Sequence, residues 1–184
     1  ESDLCLTVGT NVRFEAALLN VRLRKRTRRG NFVKASIGLT ENLNYQNESL
    51  GNSVETLLSI VEGKHSFCKK LSKAKKPIII LGSSIKKRLD STTIENLIKK
   101  LSKHCKIIDQ NWLGINFLPT TSNSVGESFL GLSQNQKIDL SNIDLAYFVG
   151  LDFPEKFITK FNESTVKIIQ TPYANSVLKE ADLI

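Results

Sequence analysis

Short apolar runs alternate with longer amphipathic stretches along the 184 residues of this chain. The runs are bounded by glycine or polar residues, which is typical of strands buried on both faces of a parallel sheet. Strands are therefore predicted within 2–10, 32–38, 76–84, 105–109, 143–151 and 166–171, and residues 180–184 read as the start of another.

The stretches between the runs repeat apolar residues at the period of a helix. Helices are predicted over 53–62 and 91–104, each of which begins with a capping signal. A third helix is predicted over 12–26, with an apolar face that comprises Phe14, Ala17, Leu18 and Val21. The alternation of strand and helix predicts an α/β fold built on a right-handed parallel sheet.

Two lobes are predicted, residues 1–52 and residues 53–184. Residues 110–140 have weaker periodicity, so they are expected to form a long connection with one or two short helical turns. The chain begins and ends within strand-like patterns, so we expect it to be an internal section of a longer polypeptide.

The composition of the chain narrows the classes of function that we expect for it. The hydrophobic fraction of 40% suits a soluble globular domain, and no apolar run has the length of a membrane span. Three cysteines, with no CxxC spacing, favour a reducing compartment over a disulfide framework. No catalytic triad, nucleophile elbow or metal-ligand cluster is visible in the sequence, so catalysis by this section is not expected.

A strand–turn–helix unit begins the chain, and its turn is formed by Gly9, Thr10 and Asn11. Backbone N–H groups in such a turn and the N-terminus of the following helix are physically suited to an anion. However, the turn has one glycine rather than GxGxxG. The next strand ends at Gly38–Thr40, with Glu41 further on, and so lacks the acidic residue that a dinucleotide site needs.

The net charge is +8, and six of the seven arginines lie in the first 29 residues. The densest basic cluster comprises Arg22, Arg24, Lys25, Arg26, Arg28 and Arg29. No aromatic residue is interleaved with it, as stacking on single-stranded nucleic acid would require. The cluster is therefore interpreted as a solvated helix end or a protein contact rather than a nucleic-acid site.

Residues 1–25, ESDLCLTVGTNVRFEAALLNVRLRK, resemble the molybdopterin-oxidoreductase-like domain of the large iron–sulfur subunit of respiratory complex I. Further similar segments follow in order at 50–67, 74–84 and 111–132, and the resemblance covers essentially the whole chain. The family pattern in the first segment is met by Asp3, Leu4, Val8, Gly9, Thr10, Asn11, Arg13, Glu15, Asn20, Arg22, Arg24 and Lys25, whereas its proline is replaced by Val12.

The resemblance implies Rossmann-like parallel α/β lobes of the molybdopterin oxidoreductase type, incomplete at both ends. In cofactor-binding relatives this turn and an acidic residue after the next strand help to hold a guanine-dinucleotide pterin. Because the proline and the acidic partner are missing here, Gly9, Thr10 and Asn11 are expected to be a vestigial phosphate turn. No cofactor or metal is expected in this section, and the iron–sulfur clusters are expected elsewhere in the parent subunit.

The resemblance also implies a structural, non-catalytic role in the complex I peripheral arm, supporting electron transfer from NADH to ubiquinone. The expected partners are other peripheral-arm subunits, with no nucleic acid and no membrane span, and the basic cluster is the candidate contact. The expected location is the matrix side of the mitochondrial inner membrane, or the cytoplasmic side of a bacterial membrane.

Three alternatives stay open. The first is a molybdopterin-binding fragment of an oxidoreductase, and the second is a basic α/β module that binds nucleic acid. The third is the central domain of thiamine-dependent enzymes, which residues 74–109 resemble in their order of strand, helix and strand.

Overall fold

Five parallel strands form the main sheet of this protein. The computed structural model describes residues 1–39, 42–119, 121, 123–132, 139–150, 155–174 and 176–184, without the side chains of residues 155 and 156. The strands of the sheet are β1 (Leu4–Val8), β2 (Val33–Ile37), β3 (Glu48–Gly51), β4 (Pro77–Leu81) and β7 (Ile115–Phe117). Their order across the sheet is β3-β2-β1-β4-β7. The predicted α/β fold with a parallel sheet is confirmed.

Helices cover both faces of this sheet, as a parallel sheet requires. One face packs on α3 (Val54–Val61), α4 (Cys68–Lys73) and α5 (Ser91–His104) in a core that includes Leu6, Leu57 and Leu101. The other face packs on α1 (Val12–Glu15) and α2 (Ala17–Arg28), and its smaller core includes Cys5, Val12 and Leu23.

The helix predicted over 12–26 is two helices, and the apolar face predicted for it is not the face that packs on the sheet. The chain leaves helical geometry at Ala16, where φ is −146° and ψ is 70°. Beyond this break, Leu23 is buried and Leu19 packs beside it, whereas Phe14 and Leu18 are 74% and 84% exposed. The helical pattern assumed a continuous helix, and the break changes which side chains reach the sheet.

The strand predicted over 105–109 does not join the main sheet. Its last two residues form β5 (Ile108–Asp109), which pairs antiparallel with β6 (Trp112–Leu113). The fifth strand of the sheet is β7, inside the segment predicted as a connection, which also contains the short helix α6 (Ser124–Phe129). Ile107 is nevertheless fully buried, which explains the apolar pattern before β5.

The chain divides into two units, Glu1–Leu130 and Gly131–Ile184. The predicted boundary after residue 52 lies inside the first unit, where β3 and β4 on its two sides belong to one sheet. Pairing between strands that are distant in sequence joins the two predicted lobes. The division into 1–52 and 53–184 stays a prediction.

The second unit contains a parallel pair, β8 (Leu145–Val149) and β9 (Val166–Gln170), and the short helix α7 (Glu155–Ile158). Both predicted strands are confirmed, and the predicted last strand is present as an isolated bridge between Ile168 and Leu183. Phe148 packs in the core of this unit, with its ring edge-to-face with that of Phe161 at 5.5 Å. Among the described residues of either unit, no helix has the length and apolarity to cross a membrane.

Candidate functional site: the glycine-lined strand ends and the basic helix

Glycine marks the carboxyl end of four neighbouring strands. Gly9, Gly38 and Gly82 directly follow β1, β2 and β4, and Gly51 ends β3. A Cβ on Gly82 would lie 2.1 Å from the carbonyl oxygen of Gly9, so the ends of β1 and β4 approach each other more closely than any side chain allows. This edge is where open α/β sheets bind their ligands.

The turn after β1 requires glycine at position 9. Gly9 has a φ of +62°, and a Cβ there would lie 2.9 Å from Cγ1 of Ile85. Its backbone groups have internal partners, because its N–H donates to the carbonyl of Ile37 at 2.9 Å and its carbonyl accepts from the Ser84 hydroxyl at 2.8 Å.

An internal carboxylate lies at the predicted phosphate turn. Glu15 accepts a hydrogen bond from the hydroxyl of Thr10 and another, of 2.6 Å, from the backbone N–H of Ser83. Asn11 caps α1, since its side-chain oxygen accepts from the N–H of Arg13 at 3.1 Å. Two donors that could meet a phosphate oxygen, the Thr10 hydroxyl and the Ser83 N–H, are therefore bound to a group of the protein itself.

The hydrogen bonds to Glu15 keep this carboxyl ionised. Partial burial would raise the pKa of Glu15, but the hydrogen bonds from Ser83 and Thr10 together lower the pKa below its ordinary value. An anion bound at this turn would therefore place its negative charge next to that of the Glu15 carboxylate.

A cleft of about 410 Å³ lies over the glycine-lined edge, next to this turn. Its charged lining residues are Glu55, Arg88 and Asp90. The guanidinium of Arg88 pairs with both oxygens of Asp90 at 2.7 Å, and that hydrogen bonding lowers the pKa of Asp90. A hydrogen bond with Ser53 likewise lowers the pKa of Glu55.

These side chains do not fit a pyrophosphate. Of the charged residues lining the cleft, two are carboxylates and the third is a guanidinium already paired with one of them. An anionic dinucleotide here would meet repulsion without a free cation to offset it. Thr40 and Glu41, which follow the second strand, lie outside the described residues.

The structure separates one residue of the basic cluster from the rest. Arg26 points back to the protein, where its guanidinium donates to the carbonyls of Ser2 (2.7 Å), Gly30 (2.7 Å) and Asn31 (3.2 Å), and lies 5.0 Å from the ring centroid of Phe32. The other five are exposed, and their side chains make no hydrogen bond or ion pair with any described residue: Arg22, Arg24, Lys25, Arg28 and Arg29. Their role as a partner contact stays a prediction.

Sequence reasoning missed a buried cation in β2. Lys34 is 4% exposed, and its ammonium donates to the Thr7 hydroxyl at 2.7 Å, the Ala35 carbonyl at 2.9 Å and the Asn47 side chain at 3.1 Å. Burial lowers the pKa of Lys34 to about 8, and burial raises the pKa of the neighbouring Cys5 thiol to about 11. A lysine inside a strand predicted to be buried on both faces was the signal for this residue.

The described cysteines, histidines and acidic residues include no group of three or more that could hold a metal ion. Cys5, Cys68 and Cys105 are all free thiols.

Comparison with known families decides the classification. The sequence profile described as molybdopterin oxidoreductase matches residues 1–184. The chain belongs to the molybdopterin oxidoreductase family. Several relatives with similar sequences carry the names of subunits of NADH-ubiquinone or NADH-quinone oxidoreductases.

One such relative is the "NADH-ubiquinone oxidoreductase 75 kDa subunit" of Reclinomonas americana, 49% identical over 83% of this chain and 23% of its own length. Another is a subunit of the NADH-quinone oxidoreductase of Rickettsia felis, 33% identical over all of this chain and 27% of its own length. The potato (Solanum tuberosum) protein "NADH dehydrogenase [ubiquinone] iron-sulfur protein 1, mitochondrial" is 31% identical over 83% of the chain and 21% of its own length. The chain thus spans about a quarter of the length of these curated relatives.

A solved structure has the same fold. The formyltransferase/hydrolase complex from Methylorubrum extorquens, crystallised with methylofuran, contains a chain that matches all of this one with a TM-score of 0.58. The match covers 62% of that chain at 12% sequence identity, so it concerns the fold alone.

Proposed function

We propose that this chain is a structural, non-catalytic domain of the large iron–sulfur subunit of the complex I peripheral arm. In this role it supports the transfer of electrons from NADH to ubiquinone by the whole complex, without taking part in the chemistry. The names of the relatives support the proposal, since they are subunits of NADH-ubiquinone or NADH-quinone oxidoreductases.

One observation carries the non-catalytic part of the proposal. Glu15 accepts hydrogen bonds from Thr10 and Ser83, at the turn where a cofactor-binding relative would hold phosphate. A domain that satisfies these donors with its own carboxylate needs no bound anion to complete the turn.

The proposal extends to partners and location. The partners are other peripheral-arm subunits, and the iron–sulfur clusters lie elsewhere in the parent subunit. The location is the matrix side of the mitochondrial inner membrane, in keeping with relatives whose names include the word mitochondrial. For a bacterial member it would be the cytoplasmic side.

A second function, molybdopterin binding, is favoured by one observation. The cleft of about 410 Å³ lies at the carboxyl ends of the strands, where the Gly9 and Gly38 backbones could approach a ligand without side-chain hindrance. The carboxylates in its lining weigh against a dinucleotide, so we rank this function second.

The test is a native-gel separation of membranes from the source organism. Mass spectrometry identifies the polypeptides in the NADH-oxidising band, and molybdenum and pterin fluorescence are quantified in the same band. We expect peptides of this chain in a band that contains no molybdenum. Peptides that run elsewhere with stoichiometric molybdenum would replace the scaffold with a molybdopterin enzyme.

A further inference from the structure

The outer side of α2 combines exposed apolar and exposed cationic residues. Leu18, Val21, Lys25 and Arg28 follow one another at helical spacings of three, four and three, so they share one stripe. Leu18 is 84% exposed and Val21 is 49% exposed. We call this stripe, with Arg29 at its end, the α2 outer face.

The helix beneath this face is held firmly against the sheet. Leu23 is buried, the Asn20 side chain accepts a 2.6 Å hydrogen bond from the Tyr45 hydroxyl, and Arg26 binds the carbonyl of Ser2. The outer face is therefore a fixed surface rather than a fraying end.

The helix carries positive charge without internal compensation. Residues 17–29 contain no acidic residue, and Arg24–Arg28 and Lys25–Arg29 are like-charge pairs at a spacing of four. Such pairs destabilise a helix by a few tenths of a kcal/mol each. Carboxylates from a partner would relieve this repulsion, and arginine is enriched at protein interfaces relative to the rest of the surface.

The chemistry of the α2 outer face disfavours several classes of partner. A second copy of the chain is disfavoured because each copy carries a net charge of +8. Nucleic acid is disfavoured because residues 17–29 contain no aromatic residue, and Leu18 and Val21 lie among the cations. A lipid surface is disfavoured because Lys25 and Arg28 share the stripe of the apolar residues instead of flanking it.

We propose that the α2 outer face is the docking surface for an acidic protein surface with an apolar hollow, which receives Leu18 and Val21 while its carboxylates pair with Lys25, Arg28 and Arg29. The identity of the partner as a neighbouring subunit of complex I rests on the function proposed above. The chemistry of the contact does not depend on that function. Arg26 is excluded from the contact because its guanidinium is bound within the protein.

The test is site-specific photo-crosslinking of the full polypeptide in membranes of its source organism. A benzophenone amino acid replaces Leu18, and the control places it at Leu89, which is fully exposed on another part of the same unit. We expect crosslinks from position 18 to a different polypeptide, in a peptide rich in Asp and Glu. The inference is overturned by crosslinks to lipid, nucleic acid or a second copy, or by a yield at position 18 no higher than at position 89.

A charge-reversal pair completes the test. The triple variant Lys25→Glu/Arg28→Glu/Arg29→Glu is expected to lower the crosslink yield from position 18 at least tenfold. The control Lys99→Glu/Lys100→Glu/Lys103→Glu makes the same change in net charge on α5 and is expected to alter the yield less than twofold. Equal losses in the two variants would overturn the inference. An acidic partner found outside the NADH-oxidising band would overturn the proposed function while leaving the docking surface intact.

Discussion

The Glu15 carboxylate accepts a 2.6 Å hydrogen bond from the backbone N–H of Ser83, a residue 68 positions away in the sequence. The contact joins the helix after β1 to the segment after β4, and the Thr10 hydroxyl binds the same carboxylate. A single side chain thus connects the ends of two neighbouring strands at the edge where a ligand would be expected.

Glu15→Ala should destabilise the chain by about 1–3 kcal/mol, because it leaves the Thr10 hydroxyl and the Ser83 N–H without their acceptor. The measurement is the urea midpoint at pH 7 for the wild type and the variant. Glu55→Ala is the control, since Glu55 is an exposed carboxylate on the lining of the same cleft. Equal midpoint shifts in both variants would contradict the role given to Glu15.

The contribution of Glu15 should also depend on pH. Its pKa is lower in the folded than in the unfolded chain, so the stabilisation is present above the unfolded pKa of about 4.5 and is lost as the pH falls through the folded value. Glu15→Gln should therefore show a shallower loss of stability on acidification than the wild type. Parallel curves below pH 4.5 would refute this prediction.

Lys34→Met should stabilise the chain at pH 7. The folded pKa of about 8 lies below the ordinary value of 10.5, so keeping Lys34 charged below pH 8 costs about 3 kcal/mol as an upper figure, because 1.36 kcal/mol corresponds to one pKa unit. The three hydrogen bonds that are lost reduce the gain, and Lys73→Met, on an exposed position, is the control.

The same residue gives a pH signature of the same sign as that of Glu15, because both pKa values are lowered on folding, but it lies at alkaline pH. Between pH 8 and 10.5 the unfolded chain binds a proton at Lys34 that the folded chain does not, so the stability of the wild type should rise with pH relative to that of Lys34→Met. The difference between the two free energies of unfolding, measured at pH 7 and pH 10, isolates this residue from other titrations. A constant difference would mean that Lys34 is not buried as described.

Gly9→Ala should destabilise the chain by about 1–3 kcal/mol more than Gly63→Ala. Both glycines have positive φ, +62° and +75°, so the backbone strain is similar. Only the Cβ at position 9 meets a neighbour, Cγ1 of Ile85 at 2.9 Å, whereas nothing lies within 4 Å of a Cβ at position 63. Thermal unfolding of the two variants measures the difference.

The bulkier Gly9→Val should misfold the domain rather than abolish a chemical step. Assembly into the NADH-oxidising complex and its activity should therefore be lost together. A folded and fully assembled Gly9→Val complex that lacks activity would argue against a structural role.

Arg26→Ala should destabilise the chain by about 1–3 kcal/mol, since its charged guanidinium binds three backbone carbonyls. Arg28→Ala, two residues further along the same helix, should leave the urea midpoint unchanged because no described residue binds its side chain. If both variants shift the midpoint equally, the division of the basic cluster into structural and exposed residues is wrong.

The strands that were predicted correctly are those whose sequence pattern lies within the strand itself and the residue that follows it. β1 and β4 are largely apolar runs followed by glycine, and β2 is a short strand-like run that is also followed by glycine, so their boundaries were visible. β3 reads Glu-Ser-Leu-Gly and has one large apolar residue, and β7 has three residues, so neither carried a recognisable pattern. Their place in the sheet depends on pairing with β2 and β4.

Only part of the candidate site could be predicted from the sequence, for a similar reason. The turn at Gly9 follows from local sequence, but the carboxylate that binds its neighbour Thr10 also binds Ser83, and no local rule relates Glu15 to that residue. The Arg26 side chain points back to the protein because it binds the carbonyls of Ser2, Gly30 and Asn31, and the last two of these residues follow the helix. Contacts of this kind become visible only when the whole sheet is assembled.

The position of β1 between β2 and β4 sets a constraint on folding during synthesis. β1 is synthesised before both of its neighbours, since Leu6 pairs with Ala35 on one side and with Ile79 on the other. A ribosome adding roughly 5–20 residues each second needs several seconds to extend the chain from Val8 to Leu81. During that interval one backbone edge of the central strand stays unpaired, and a chaperone that shields residues 4–8 would act before β4 emerges.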